Sequence, residues 1–320
     1  MKKVIILVAT FFVSVCVFSE TVIKLGYSVN QTSPRGIASQ LFKSTVEKKT
    51  KNKIKVEIYD DAKLGSDPQL IEGIVKGTVD MTISSAGNFA SLSPKLGVSA
   101  LPFLFSDFEK AWKFMDSEIV AEINKDLEKS NIVVLSHFDN GFRCVTTTNK
   151  QINSVSDMKG LKIRTPENIV IIEVMRALGA NPSALDFAKL PDALKAGRFD
   201  SQENPIQVIY NSKLYEYQKY LAITNHSYDA MPFVIRKDLW DSLSKSEQKI
   251  LKDAAVQAQN LNRTMVKEQS ENLVANLKKA GMIITYPDLK EFAEATKHVL
   301  DAFSNDYGQD LIDKVKAFAK

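Results

Sequence analysis

The chain has 320 residues, 44% apolar and 25% charged, a balance that excludes disordered and fibrous classes and supplies enough apolar surface for a large core. Its length points to two domains, because single cores usually split near this size. Forty-two Lys and Arg against 38 Asp and Glu leave a net charge of +4 with no basic stripe, so nucleic acid is not an expected partner.

In chain order, Lys2 and Lys3 precede an apolar run from Val4 to Phe18, about 15 residues against the roughly 20 that span a bilayer. Residues 1–19 read as an export signal cleaved before Glu20, which makes the mature protein periplasmic. The alternative is a lipid anchor on Cys16, within Val13-Ser14-Val15-Cys16. Cys144 then stands alone, and the mature fold has no internal disulfide to lean on.

Val22 to Tyr27 reads as a strand, Pro34 to Thr50 as a helix with Ile37, Leu41, Phe42 and Val46 on one face, and Ile54 to Tyr59 as a half-buried strand, which together make a βαβ unit. Ser66 or Asp67 caps the next helix, with Pro68 in its first turn and Gly77 just past its end. Met81 to Ser84 is a third strand, Leu101 to Phe105 a buried apolar turn, Phe108 to Phe114 and Ile119 to Leu127 helices, and Ile132 to Phe138 a strand. The alternation restarts after Arg143. Strands at Cys144 to Thr148 and Leu161 to Arg164 and helices at Ile169 to Leu178 and Leu190 to Lys195 form a second unit, and Asn140-Gly141 is a candidate hinge. Gln202 to Pro205 reads as a turn. Beyond Tyr228 the pattern is largely helical, from Lys237 to Asn260 and on through Val266 to Lys279, long enough to cross both domains and brace them.

The patterns that carry chemistry are missing. His137, His226 and His298 have no metal-ligand spacing, there is no Cys-x-x-Cys pair, and neither a phosphate loop, a dinucleotide fingerprint nor a serine elbow occurs. No metal, cofactor or catalytic residue is expected, and Cys144 reads as a small core residue. Arg164 instead falls at the carboxyl end of a strand just before Pro166, where open α/β sheets bind ligands. Its planar fork either grips a carboxylate or pairs with Glu167 at the surface. Arg143 poses the same choice at the hinge, and Asn204 either meets a ligand or caps local backbone.

Asp157-Met-Lys-Gly-Leu-Lys-Ile-Arg-Thr-Pro166, Ala177-Leu-Gly-Ala-Asn-Pro182, Ala193-Leu194 with Gly197, Asp200-Ser-Gln-Glu-Asn-Pro205, Tyr215-Glu-Tyr-Gln-Lys-Tyr220 and Thr224-Asn-His226 follow one another in a recognisable order. Together with Gly77-Thr-Val-Asp80, Leu101-Pro-Phe-Leu-Phe105 and Gly141-Phe-Arg143 upstream, the chain resembles the DctP-type solute-binding proteins of tripartite ATP-independent periplasmic (TRAP) transporters over nearly all of its mature length. The resemblance implies an α/β, two-lobed periplasmic-binding-protein clamshell with segment exchange and a long bracing helix. Lobe I would comprise 20–142 plus 230–268, and lobe II 143–229 plus 269–320. It implies a monomer that captures a small organic acid and delivers it to the membrane permease subunits of a TRAP transporter.

By the same resemblance Arg164 is the carboxylate clamp, Arg143 a second basic contact, Asn204 a polar contact, Phe187 an aromatic wall and His226 a pocket-lining group. Asn30, Ser85 and Asn88 complete the expected ligand-binding set. Lys189 and Pro191 stand where the family usually has Glu and Tyr, and Ser201 where it has Gly, so the second-lobe wall is expected to differ. Sialate binders carry an acidic residue at the Ser85 position and a basic one at Asn88, which disfavours sialate and leaves dicarboxylates, uronates and keto acids. The alternative reading is a sensory receptor that presents a carboxylate to a sensor kinase or chemoreceptor, distinguished by its gene neighbourhood. An enzyme comes third, and turnover of a carboxylate would revive it.

Overall fold

The computed structural model describes residues 20–319, so the export signal and the Cys16 anchor lie outside the described residues. Ten strands form the central sheet: β1 (Thr21–Gly26), β2 (Ile54–Tyr59), β3 (Met81–Ile83), β4 (Ile132–Thr147), β5 (Lys162–Thr165), β6 (Asn181–Ala184), β7 (Ser201–Pro205), β8 (Tyr220–Ala222), β9 (Tyr228–Arg236) and β10 (Ile283–Thr285). The helices are α1 (Pro34–Lys49), α2 (Asp67–Lys76), α3 (Phe108–Met115), α4 (Glu118–Lys125), α5 (Ile169–Ala177), α6 (Leu190–Lys195), α7 (Ile206–Asn211), α8 (Lys237–Ser242), α9 (Lys245–Lys279), α10 (Leu289–Ala302), α11 (Ser304–Tyr307) and α12 (Gln309–Ala319).

The sheet has two wings. In the first, the order is β2-β1-β3-β9-β4, with β1, β2 and β3 parallel and β9 antiparallel to both its neighbours. In the second, β4 lies between β8 and β7, and the order continues through β5 to β6, with β10 outside β8. One 16-residue strand, β4, therefore belongs to both wings. The expected break at Asn140-Gly141 is a bulge inside this strand: Asp139 pairs with Ala230 and Gly141 with Asp229, which leaves Asn140 over. Gly141 has φ +96°, a left-handed value that suits glycine at a bulge.

Three other expectations give way. Tyr228–Arg236 is a strand rather than the start of the helical region, and Pro232 is accommodated within it opposite His137, next to an irregular register. Gln202 to Pro205 is a buried strand, not a turn, because pairing with β4 and β5 satisfies its backbone while its polar side chains find partners inside. The long helical region is two helices, parted at Leu243–Ser244, where Ser244 and Glu247 form a capping box.

At 1.5 Å per residue α9 is about 52 Å long. It packs on α1 and β4 in the first wing and on α7 and β10 in the second, and alanines at 254, 255 and 258 let it lie close to the sheet. Phe233 anchors the first-wing core, edge-on to Phe42 at 4.8 Å and to Phe138 at 5.2 Å. Cys144 is buried in the second-wing core with Leu190, Leu194 and Leu277. At the C-terminal end α10 packs on α5 and α12 on α3.

Candidate ligand-binding site

A cleft opens where the two wings meet. From the first wing it is lined by Ser28 after β1, Arg35 in α1, Asp67 in α2, and Ser85 and Asn88 after β3; from the second by Arg164, Phe187 and Asn204; and Asn140 and Arg143 of β4 form its floor. Of the sequence-predicted residues, Arg164, Arg143, Asn204, Phe187, Ser85 and Asn88 are brought together here. Asn30 lines an adjoining pocket against α7 and α9, and its amide reaches the Asn211 carbonyl at 3.5 Å. His226 is fully buried outside the lining, behind Glu203.

The two arginines differ in their partners. Arg143 is buried and held by two carboxylates: Nε and Nη2 donate to Glu203, and Nη1 to Asp229. Nη2 also donates to the Glu203 carbonyl at 2.9 Å. Burial opposes its charge, but Glu203 and Asp229 outweigh it and hold the guanidinium pKa above its ordinary value. Glu203 feels the reverse: burial raises its pKa, and Arg143 and His226 bring it below the usual carboxylate range.

Arg164 is equally buried, at 2% exposure, yet has no ion pair among the described residues. Its Nε and Nη2 both donate to the Leu185 carbonyl, Nε at 2.8 Å. This turns the guanidinium so that Nη1 is left without a protein acceptor at the cleft. The Phe187 ring lies 5.9 Å from its Cζ. Burial lowers its pKa to about 10, with Glu203 pulling the other way and Arg143 adding to the fall. A buried cation without a counter-ion is costly, and an anion entering the cleft would relieve that cost.

His226 has an assignable role. Glu203 only accepts, so Nε2 carries the proton toward it at 3.3 Å, and Nδ1 accepts the Thr224 hydroxyl at 2.8 Å. Burial lowers the imidazole pKa despite Glu203, which keeps the ring neutral. The ring therefore orients Glu203, which in turn orients Arg143.

The family model for the bacterial extracellular solute-binding proteins, family 7 (DctP), matches residues 25–306. The chain belongs to this family. As a DctP-type solute-binding protein it is similar to the 2,3-diketo-L-gulonate-binding periplasmic protein YiaO of Escherichia coli, 35% identical over 92% of this chain and 90% of that one. A TRAP periplasmic solute-binding protein from Polaromonas sp., solved bound to D-erythronate, superposes with a TM-score of 0.91 at 33% identity, covering 93% of this chain and 99% of that chain. A third, from Sulfurospirillum deleyianum and solved with succinate, gives 0.89 at 26% identity, covering 94% and 99%. The two-lobed DctP fold is thus that of this chain.

Sequence reasoning did not find Arg35, Asp67, Glu203 or Asp229. Arg35 and Asp67 occupy first turns of helices behind Ser33 and Ser66; there an acid such as Asp67 ordinarily serves the helix end, and Arg35 sits in no motif that the sequence reading used. The one available signal was Glu203, an acidic residue beside Asn204 in a segment already singled out. Among the described residues no group of three or more His, Cys, Asp or Glu is arranged to hold a metal ion, and no helix is long and apolar enough to cross a membrane.

Proposed function

We propose that this DctP-type receptor captures a small organic acid in the cleft, with Arg164 gripping the carboxylate, and hands it outside the cytoplasm to the membrane permease subunits of a TRAP transporter. The observation that carries this is Arg164 itself, a buried guanidinium with no carboxylate of its own and an open edge on the cleft. Phe187 walls the clamp and Asn204, from the neighbouring strand, supplies an amide. Arg143 is already doubly paired, so it contributes as a positioned second contact rather than the main anchor. Ser85 and Asn88 approach from the opposite wing, so the full set reaches one ligand only when the cleft is shut, and closure strengthens the ion pair by excluding water.

Relatives support the acid: the structures bound to D-erythronate and succinate share the fold, and their ligands share a carboxylate on a four-carbon chain while differing in the other polar groups. They also support transport, since those neighbours are described as TRAP binding proteins, and nothing observed favours a sensory role. The export signal of residues 1–19 fits delivery from the periplasm.

A thermal-shift screen of the mature chain tests the reading. Acid at about 100 times its Kd should add roughly 2.7 kcal/mol of stability and raise the melting temperature by a few degrees. A broad carboxylate panel that leaves the melting temperature unmoved, while neutral sugars or amines raise it, overturns acid capture.

A further inference from the structure

The two wings meet at a point where neither side can easily give way. Gly87 lies in a single short turn of helix, Ala86–Phe89, that follows β3 in the first wing. Asn168 lies between β5 and α5 in the second. A Cβ on Gly87 would fall on the carboxamide Nδ2 and Cγ of Asn168 and within 2.8 Å of its Cβ. The Gly87 backbone is outside the left-handed region, so its own turn does not call for glycine. What excludes a side chain there is a residue of the other wing.

Asn168 cannot swing aside without loss. It is buried, and its Oδ1 caps α5 by accepting the N–H groups of Val170 at 3.0 Å and Ile171 at 3.3 Å. Its own backbone N–H donates to the Pro166 carbonyl at 2.8 Å, which ties the cap to the strand end that carries Arg164. Gly87 is bracketed by two cleft residues, Ser85 and Asn88, and the Asn88 amide donates to the Ser84 hydroxyl at 2.8 Å. Asn88 and Glu167 line the cleft, and together with Gly87 and Ile169 they also line a groove outside it. The contact between Gly87 and Asn168 therefore stands in the rim that parts cleft from groove.

Building on the acid-capture reading, we infer that Gly87 is a positioning residue for closure: its bare Cα is the seat on which the Asn168 cap comes to rest when an acid held by Arg164 draws the wings together. The contact sets how far the rim shuts, and so how fully Ser85 and Asn88 reach a ligand on Arg164. With the cleft open a methyl group at position 87 escapes Asn168; with the cleft shut it holds cap and turn apart. Apparent affinity then falls with the fraction of the protein that can close.

Calorimetric titration and small-angle scattering of the mature chain test this, with D-erythronate, L-gulonate, D-galacturonate and succinate as probes. The variants are Gly87→Ala, Asn168→Ser, which keeps a capping oxygen on a shorter side chain, and the two combined. In the wild type the acid that binds most tightly should reduce the radius of gyration, and an unchanged radius overturns the inference. Gly87→Ala should bind that acid roughly 5- to 150-fold more weakly, the span expected for overpacking a tight contact. Its radius should shrink less at saturation, and its ligand-free melting temperature should fall by no more than about 2 °C. Asn168→Ser should weaken binding a few-fold, and in its presence Gly87→Ala should weaken it no further. Wild-type affinity in Gly87→Ala overturns the inference, as does a loss that Asn168→Ser fails to relieve, which would place the effect in Ser85 and Asn88. A Gly87→Ala chain that melts much earlier without ligand, or does not fold, overturns it too, because the contact then exists in the open state. Each of these results leaves acid capture standing, whereas failure of all four acids to bind the wild type overturns acid capture and this inference with it.

Discussion

Asn262, in the middle of α9, accepts the backbone N–H of Asp139 at 2.6 Å, at the point where β4 bulges. One turn earlier Gln259 accepts the N–H of His137 at 2.8 Å. These donors lie on the edge of β4 that β9 does not cover, so two helix side chains do what a further strand would do. The edge is thereby closed without adding a strand at the cleft floor, which Asn140 and Arg143 line.

Asn262→Ala should destabilise the protein by about 1 to 3 kcal/mol, because it leaves the Asp139 N–H buried and unpaired. The loss should fall toward the lower end, since the Asn262 amide nitrogen is itself without a partner. Asn260→Ala, on the solvent face of the same helix, is the control and should change stability by less than about 0.5 kcal/mol. Calorimetric melting of both variants distinguishes the edge contact from a general helix effect.

The clamp is tested by three substitutions. Arg164→Ala should cost roughly 2 to 5 kcal/mol of binding, about 30-fold to several-thousand-fold in affinity for a bound carboxylate. Arg164→Lys keeps the charge without the fork and should recover only part of it. Arg143→Ala should weaken binding mainly by releasing Glu203 and Asp229 into the site, and it should lower stability, which Arg164→Ala should not. Wild-type affinity in folded Arg164→Ala removes the clamp.

Glu203→Gln strips Arg143 of one of its two carboxylates and leaves a single acceptor oxygen where Arg143 and His226 now share two. Breaking such a buried pair typically costs about 3 to 5 kcal/mol. Denaturant unfolding should show that loss at neutral pH, where Glu203 is held ionised by Arg143 against its burial.

Two buried groups near the bulge give opposite pH slopes. Burial raises the Asp139 pKa from 3.8 to about 7, against the pull of the Trp112 indole N–H, so the folded state keeps a proton that the unfolded chain releases. Its contribution is full below pH 3.8 and is lost as pH rises through about 7. Burial, with Arg263 adding to it, lowers the His137 pKa from 6.5 to about 3, so its contribution is full above pH 6.5 and is lost as pH falls through about 3. Each slope is at most about 1.4 kcal/mol per pH unit, and they oppose one another between about pH 4 and 6.5. Asp139→Asn should therefore leave stability rising with pH in that window, and His137→Gln should leave it falling, each against a nearly flat wild-type contribution from this pair, as read by urea unfolding at stepped pH.

The parts of this architecture that could be read in the chain were those with clean periodicity. The β1-α1-β2 unit and α2 stand within a residue or two of where their apolar spacing puts them, and Arg164 is at its strand end. β7 was illegible because Gln202, Glu203 and Asn204 are polar yet buried, and their burial depends on Thr146 and Arg143 of β4, far away in sequence. β9 was illegible because Pro232 argues against a strand in isolation. The ion pairs of Arg143 join residues 60 and 86 positions apart, and no local pattern encodes such a meeting.

A continuous strand running out, the segment from β8 into β9 returning and a 35-residue helix going out again all pass between the wings. Any attempt to graft one lobe of a relative onto this chain must sever β4, α9 and the buried connection from β8 to β9 that holds Thr224, His226 and Ser227. Several cleft-lining residues, by contrast, sit outside the crossings: Asp67 in the first turn of α2, and Ser85 and Asn88 after β3, whereas Asn140 and Arg143 lie within β4 itself. Single substitutions at such lining positions leave every crossing intact, while recombination of whole lobes meets a topological barrier.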